Sequence, residues 1–179
     1  MNDLSCDEWL EHEDLACREQ RVKRLSFLAQ KTPQAELWMF SGGWLSKQLF
    51  EEARYSFVYG QFIAASVLGF AFVERTLASL FYASGRNDLQ RATGVKLIEE
   101  AVLVSWLSEQ EAAAFNVARC LRNPLVHFRH PMHEDLPDTR AFYSESDPHR
   151  IVEADAEQIL EVMFRLVAKQ APGADGGLN

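Results

Sequence analysis

An arginine and a histidine five positions apart, with an asparagine next to the arginine, are the residues of this chain best suited to chemistry. They lie in the segment Leu121-Arg122-Asn123-Pro124-Leu125-Val126-His127-Phe128. Arginine carries a permanent charge and a planar fork of donors that fits phosphate, and histidine changes protonation near neutral pH. Such a pair can cleave a phosphodiester without a metal: one side chain holds the phosphate oxygens and the other moves the proton. Spacing is the difficulty, because five positions on an unbroken α-helix set two side chains about 140° apart. Pro124 leaves two outcomes open. A helix could end at Arg122, with Asn123 as N-cap and Pro124 opening a new short helix, so that free N–H groups and a positive helix end lie beside Arg122. Alternatively, the helix only kinks, Arg122 pairs with an acidic residue such as Glu74, and His127 is a half-buried polar side chain.

The elements that must position this segment read as helices throughout, with no convincing strand and no internal repeat. Residues 3–31 suggest one or two amphipathic helices carrying Trp9, Leu10, Leu15, Val22, Leu25 and Leu28 among many charges, stopped by Thr32-Pro33. From Trp44 to about Tyr59, Leu45, Leu49, Phe50, Ala53 and Phe57 recur at spacings of three and four. Gly60 kinks or breaks the chain there, or permits close packing. A helix from Gln61 to about Ala83 is apolar almost all round at its centre, as the middle of a bundle requires. Val95 to Leu107 forms the next helix. Ser108-Glu109-Gln110-Glu111 then reads as a capping box, opening a helix that presents Phe115, Ala118 and Leu121 on one side and arrives at Arg122. Residues 129–152 read as a long polar connection with Pro131, Pro137 and Pro148. A last helix begins near Asp155 as N-cap and buries Ile159, Met163, Leu166 and Val167. The fold class expected is all-α, an up-and-down bundle of four main helices with additional N-terminal helices. Its organisation is an N-terminal extension over 1–43, a bundle over 44–170 and a Gly-rich disordered tail over 171–179.

Composition narrows the classes of function. The 179 residues suit one domain, and 47% hydrophobic with 25% charged residues is ordinary for a globular protein. A net charge of −8 and a pI of about 5.1 weigh against tight non-specific nucleic-acid binding. A local basic site is still compatible, because Arg119, Arg122, Arg129 and His130 gather around the motif. Cys6, Cys17 and Cys120 form neither a disulfide framework nor a zinc pattern, and read as free thiols in a reducing cytoplasm. The acidic N-terminus lacks the basic region of a signal peptide. The apolar run Phe62 to Val73 is shorter than the roughly 20 residues that span a bilayer, so no membrane partner is expected.

Arg122-Asn123-Pro124-Leu125-Val126-His127 resembles the Arg-x4–6-His signature of the HEPN superfamily (higher eukaryotes and prokaryotes nucleotide-binding), whose members often carry a polar residue, frequently Asn, directly after the Arg. Upstream, Ala53, Gly60-Gln61, Ala64-Ala65 and Glu74-Arg75-Thr76-Leu77 are similar to the early helices of that bundle. By element order the resemblance covers roughly residues 44–170, and its specific motif only 122–127. It implies a helical bundle that forms a homodimer, with motifs from two protomers lining one cleft, and in many members a metal-independent endoribonuclease. By that resemblance His127 is general base or acid, Arg122 binds the scissile phosphate, and Asn123 orients or caps the site. The expected products carry 2′,3′-cyclic phosphate ends. A non-catalytic HEPN-type module that binds a protein partner, or a nucleotide sensor using Arg122, is the alternative implied.

Other residues carry weaker signals. Glu74 is a candidate second partner that fixes Arg122. His127, His130 and His133 with Glu134 and Asp135 gather metal-binding types, but Pro131 interrupts the register and no recognised zinc spacing appears, so no metal and no cofactor are expected. Trp38, Phe40 and Trp44 flank Gly42-Gly43 and read as core or dimer-interface residues rather than base-stacking ones.

Overall fold

Helical periodicity and capping residues along the chain become seven α-helices in the computed structural model, which describes residues 5–32 and 39–170. The helices are α1 (Cys6–Lys31), α2 (Gly43–Val58), α3 (Phe62–Ala83), α4 (Gly94–Leu103), α5 (Glu109–Val126), α6 (Pro137–Ser144) and α7 (Pro148–Gln170), with one 3-10 turn at Asn87–Leu89. The fold is all-α, with no strand among the described residues. The long helices α2, α3, α5 and α7 make the bundle, and α4 and α6 are short braces.

The N-terminal segment is one helix. Ser5 and Glu8 close a capping box at its start, the Glu8 N–H donating to Ser5 Oγ at 3.3 Å and the Ser5 N–H to Glu8 Oε2 at 2.9 Å. Only its second half reaches the bundle: Leu28 is buried, Phe27 packs on Phe57, and Arg24 pairs with Glu153 at 2.8 Å. Residues 5–20 are all exposed.

Gly60 breaks the chain between α2 and α3, in the left-handed region (φ +76°) where a side chain would be strained. This lets α3 fold back along α2. At the centre, α3 contacts α2, α4, α5 and α7. Phe70, Phe72, Val73, Leu77 and Phe81 are sealed from solvent, and Gly69 lets α7 approach, its Cα facing Ile159 and Leu160. By length and composition α3 is a helix that could cross a membrane, because its apolar residues continue past Glu74 and Arg75 to Ala83, beyond the run that ends at Val73. In this fold it occupies the core. Phe50 joins Phe40, Phe72 and Phe164 in edge and tilted ring contacts that tie α2, α3 and α7 together.

Several expected boundaries move. The helix expected over Val95 to Leu107 ends at Leu103, where Ser105 takes a left-handed turn (φ +61°). The Trp106 and Leu107 N–H groups then both donate to the Ala101 carbonyl, and Leu107 and Trp106 turn inward. The connection over 129–152 is not all loop: Pro137 opens α6 at its first turn, where a proline's missing N–H costs nothing. The last helix begins at Pro148, not near Asp155, and the Asp147 carboxylate accepts the His149 N–H at 2.9 Å. Asp155 is therefore inside α7, buried, and bound by the Arg140 guanidinium from α6. Trp44 is not a core residue, being 74% exposed, whereas Phe40 packs against the core. Trp38 and the tail 171–179 lie outside the described residues.

Candidate functional site

The opening of α5 is anchored before it reaches the motif. Ser108 Oγ accepts the Glu111 N–H at 3.2 Å, and Glu111 Oε2 accepts the Ser108 N–H at 2.8 Å. Burial pushes the Glu111 carboxyl up, but the Ser108 N–H and Lys169 of α7, 2.9 Å away, outweigh it and hold the group below its usual range. Phe115 and Ala118 then fix the helix against the core.

Pro124 does not end the helix. The α-helix runs through it to Val126, and His127 is the C-cap with extended backbone (φ −117°, ψ 129°). The reason is local: proline removes one hydrogen bond, to the Cys120 carbonyl, and only one further turn has to form. The His127 N–H closes that turn on the Asn123 carbonyl at 3.0 Å. Asn123 is thus a residue inside α5 and not the N-cap of a second helix. No helix N-terminus arises beside Arg122, and the compact anion site expected from a break is not formed within one chain.

Arg122 turns inward. Its Nη2 donates to Glu74 Oε2 at 2.7 Å, and its guanidinium carbon lies 4.8 Å from the centre of the Phe70 ring. Its side chain is 14% exposed and that of Glu74 33%. The other Arg122 N–H groups have no partner among the described residues. Glu74 also approaches the start of α4 closely: its Oε1 lies where a β-carbon on Gly94 would come within 2.6 Å. Gly94 is the first residue of α4, after the Thr93 cap, and the sequence carries no motif that would single it out.

His127 faces outward, and its ring has no hydrogen-bond partner among the described residues. Val126 and Phe128 beside it are exposed, Phe128 at 88%. The Asn123 side chain makes no hydrogen bond to Arg122 or His127 among the described residues. In the amide orientation that satisfies both its ends, its Nδ2 donates to the Arg119 carbonyl at 3.2 Å and its Oδ1 accepts from Arg119 Nη1 at 3.1 Å. His130 and His133 stack edge to face with ring centres 5.0 Å apart, and His133 Nδ1 accepts the Asp135 N–H at 3.2 Å. Among the described residues no group of three His, Cys, Asp or Glu side chains is placed to hold a metal ion. A surface groove of about 550 Å³ borders Glu74, Arg75, Ser79 and Tyr82, but neither Arg122 nor His127 lines it.

Two expected results follow from this geometry. Removing either Arg122 or Glu74 is expected to cost about 1.5–3 kcal/mol, the range for hydrogen bonds to charged groups. In a double-mutant cycle read by urea unfolding, most of that cost should be shared. A coupling below about 0.5 kcal/mol would mean the pair contributes no energy of its own. Gly94→Ala is expected to push the Glu74 carboxylate aside cheaply, because the far end of a flexible side chain yields. The melting temperature should then fall by no more than about 4 °C, while any activity that needs Arg122 in place falls by about 10–100-fold. Wild-type activity in that variant would show that the position of Glu74 does not matter.

Comparison with protein-family models, with characterised proteins and with solved structures finds no match for this chain.

Proposed function

We propose that this chain is a HEPN-like, metal-independent endoribonuclease of the cytoplasm, working as a homodimer in which two copies of the motif share one cleft. The observation that carries the reading is the contrast between the two motif residues. Arg122 is fixed by Glu74 and Phe70 with N–H groups left over, and His127 ends the same helix in solvent with an unpartnered ring. One chain keeps these side chains apart, so a site that uses both needs a second copy. The exposed Val126 and Phe128 support that arrangement, since burying them against a partner brings the two motifs together. In the reaction a ribose 2′-oxygen attacks the adjacent phosphorus and the 5′-oxygen leaves. One His127 takes the 2′-OH proton, the other protonates the leaving oxygen, and arginine N–H groups bind the extra charge on the phosphate.

A second reading, a non-catalytic module that binds a protein partner, is favoured by the Arg122–Glu74 pair itself, since a closed ion pair is what a structural arginine requires. The two separate in a cleavage assay on single-stranded RNA in EDTA, with product ends identified by phosphatase sensitivity. Cleavage leaving cyclic phosphate ends supports the nuclease. A dimer that cleaves no RNA while assembling normally overturns it.

A further inference from the structure

Arg119 sits one turn before the motif and outside its spacing. The side chain is half-buried, and every partner it has is neutral: Asn116 Oδ1 at 3.4 Å, Cys120 Sγ at 3.5 Å and Asn123 Oδ1 at 3.1 Å. No carboxylate lies within ion-pair distance of it among the described residues, unlike Arg122, whose charge Glu74 matches. Amide oxygens orient a guanidinium without cancelling its charge. Arg119 and Asn123, four residues apart, lie on one stripe of α5, and His127, four residues further on, is the residue that caps that helix. The stripe is joined by hydrogen bonds: Arg119 to the Asn123 amide, and the Asn123 carbonyl to the His127 N–H at 3.0 Å. On this chain, which carries a net charge of −8, a held cation with no carboxylate partner, two turns before an exposed histidine, is free to receive an anion.

We infer that Arg119 is a phosphate-contacting residue of this site, held in place by Asn116 and Asn123, and that it grips the backbone of single-stranded RNA next to the bond His127 addresses. Resting on the ribonuclease reading, this adds a contact that the Arg122–His127 spacing does not contain, and gives Asn123 the work of positioning Arg119 and not Arg122.

The experiment uses the full chain and a fluorescent single-stranded oligonucleotide with 2′-O-methyl riboses, which binds but cannot be cleaved through the 2′-oxygen. Binding is measured by anisotropy across a salt series. Arg119→Gln is expected to weaken binding by about tenfold at low salt. It should also flatten the slope of log affinity against log salt by about 0.7, the share of one phosphate contact on a single strand. Arg119→Lys should restore the slope, which a merely structural role would not do. Asn123→Ala should weaken binding while the slope stays nearer the wild type. A wild-type slope in Arg119→Gln overturns the inference, as does a wild-type chain that does not bind the oligonucleotide. A wild-type chain that binds with the expected Arg119 dependence yet leaves ordinary RNA intact overturns the nuclease reading instead and keeps the phosphate contact.

Discussion

His127→Ala is expected, on the ribonuclease proposed above, to lower RNA cleavage by about 100-fold to 10,000-fold, the range that one positioned acid–base group contributes, with almost no change in stability. Both halves of that expectation come from the same geometry. The ring is exposed and makes no hydrogen bond to any described residue, so removing it opens no cavity and orphans no partner. Surface changes of this kind move stability by about 0.5 kcal/mol or less. The one bond that His127 supplies to the fold is its backbone N–H to the Asn123 carbonyl, and alanine keeps it. Cleavage rates in EDTA and urea unfolding curves on the same preparation check the result. A His127→Ala chain that cleaves at the wild-type rate would remove histidine from the mechanism. A chain that loses cleavage only because it unfolds would show that the exposed ring has a structural load invisible in its contacts.

Asp155→Ala is expected to have a large effect on stability, about 2–3 kcal/mol, because it removes the buried member of an ion pair whose other member, Arg140, is 31% exposed and partly solvated. Asp155 is 3% exposed and takes both Nη groups of Arg140, Nη1 at 3.1 Å. Without the carboxylate, Arg140 keeps a charge with no other acid to match it among the described residues, where its Nε also has no hydrogen-bond partner. In thermal unfolding the loss should be about 5–10 °C. Asp155→Asn is the sharper variant. At an N-cap, asparagine serves as well as aspartate, so the variant would be nearly neutral if the helix began there. In an ion pair it removes the charge, and the variant should lose a large part of what alanine loses. A melting temperature within about 1 °C of wild type for Asp155→Asn would contradict the position of Asp155 inside α7.

Much of the fold was legible because it is written locally. The capping box at Ser108, the apolar stripe of α2 and the solid apolar centre of α3 are short-range patterns, and each became the helix it suggests. The partnership of Glu74 with Arg122 was legible as a matter of chemistry, since a buried arginine needs an acid and Glu74 interrupts the most apolar helix. What was illegible depends on distance or on small energy differences. Pro124 leaves a stop and a kink both open in the sequence, and the contacts of Phe115 and Ala118 that hold the helix down, which let it run one turn further, are not local. Asp155 followed by Gln158 looks like a cap, and only the arrival of Arg140 from α6 makes it a buried partner. The left-handed Ser105 that shortens α4 follows from burying Trp106 and Leu107, a requirement no local pattern announces. At the site, the neutral cradle around Arg119 and the space at Gly94 that admits Glu74 are properties of packing, and neither residue belongs to a motif.

The free half of α1 sets a different energetic regime from the rest of the molecule. Residues 5–20 have no bundle beneath them, so their order rests on helix hydrogen bonds, the Ser5–Glu8 box and surface pairs such as Asp14–Arg21 at 2.9 Å. Stretches of that length are marginal alone in water. Their amides therefore exchange with solvent through local fraying, at an opening free energy far below that of α3, whose amides open only with the whole fold. Heat or denaturant would melt the chain in two steps of very unequal size: a gradual shortening of α1 back toward Arg24 and Leu28, then one cooperative loss of the bundle. A helical signal that begins to fall before the aromatic core is exposed is the signature of that order.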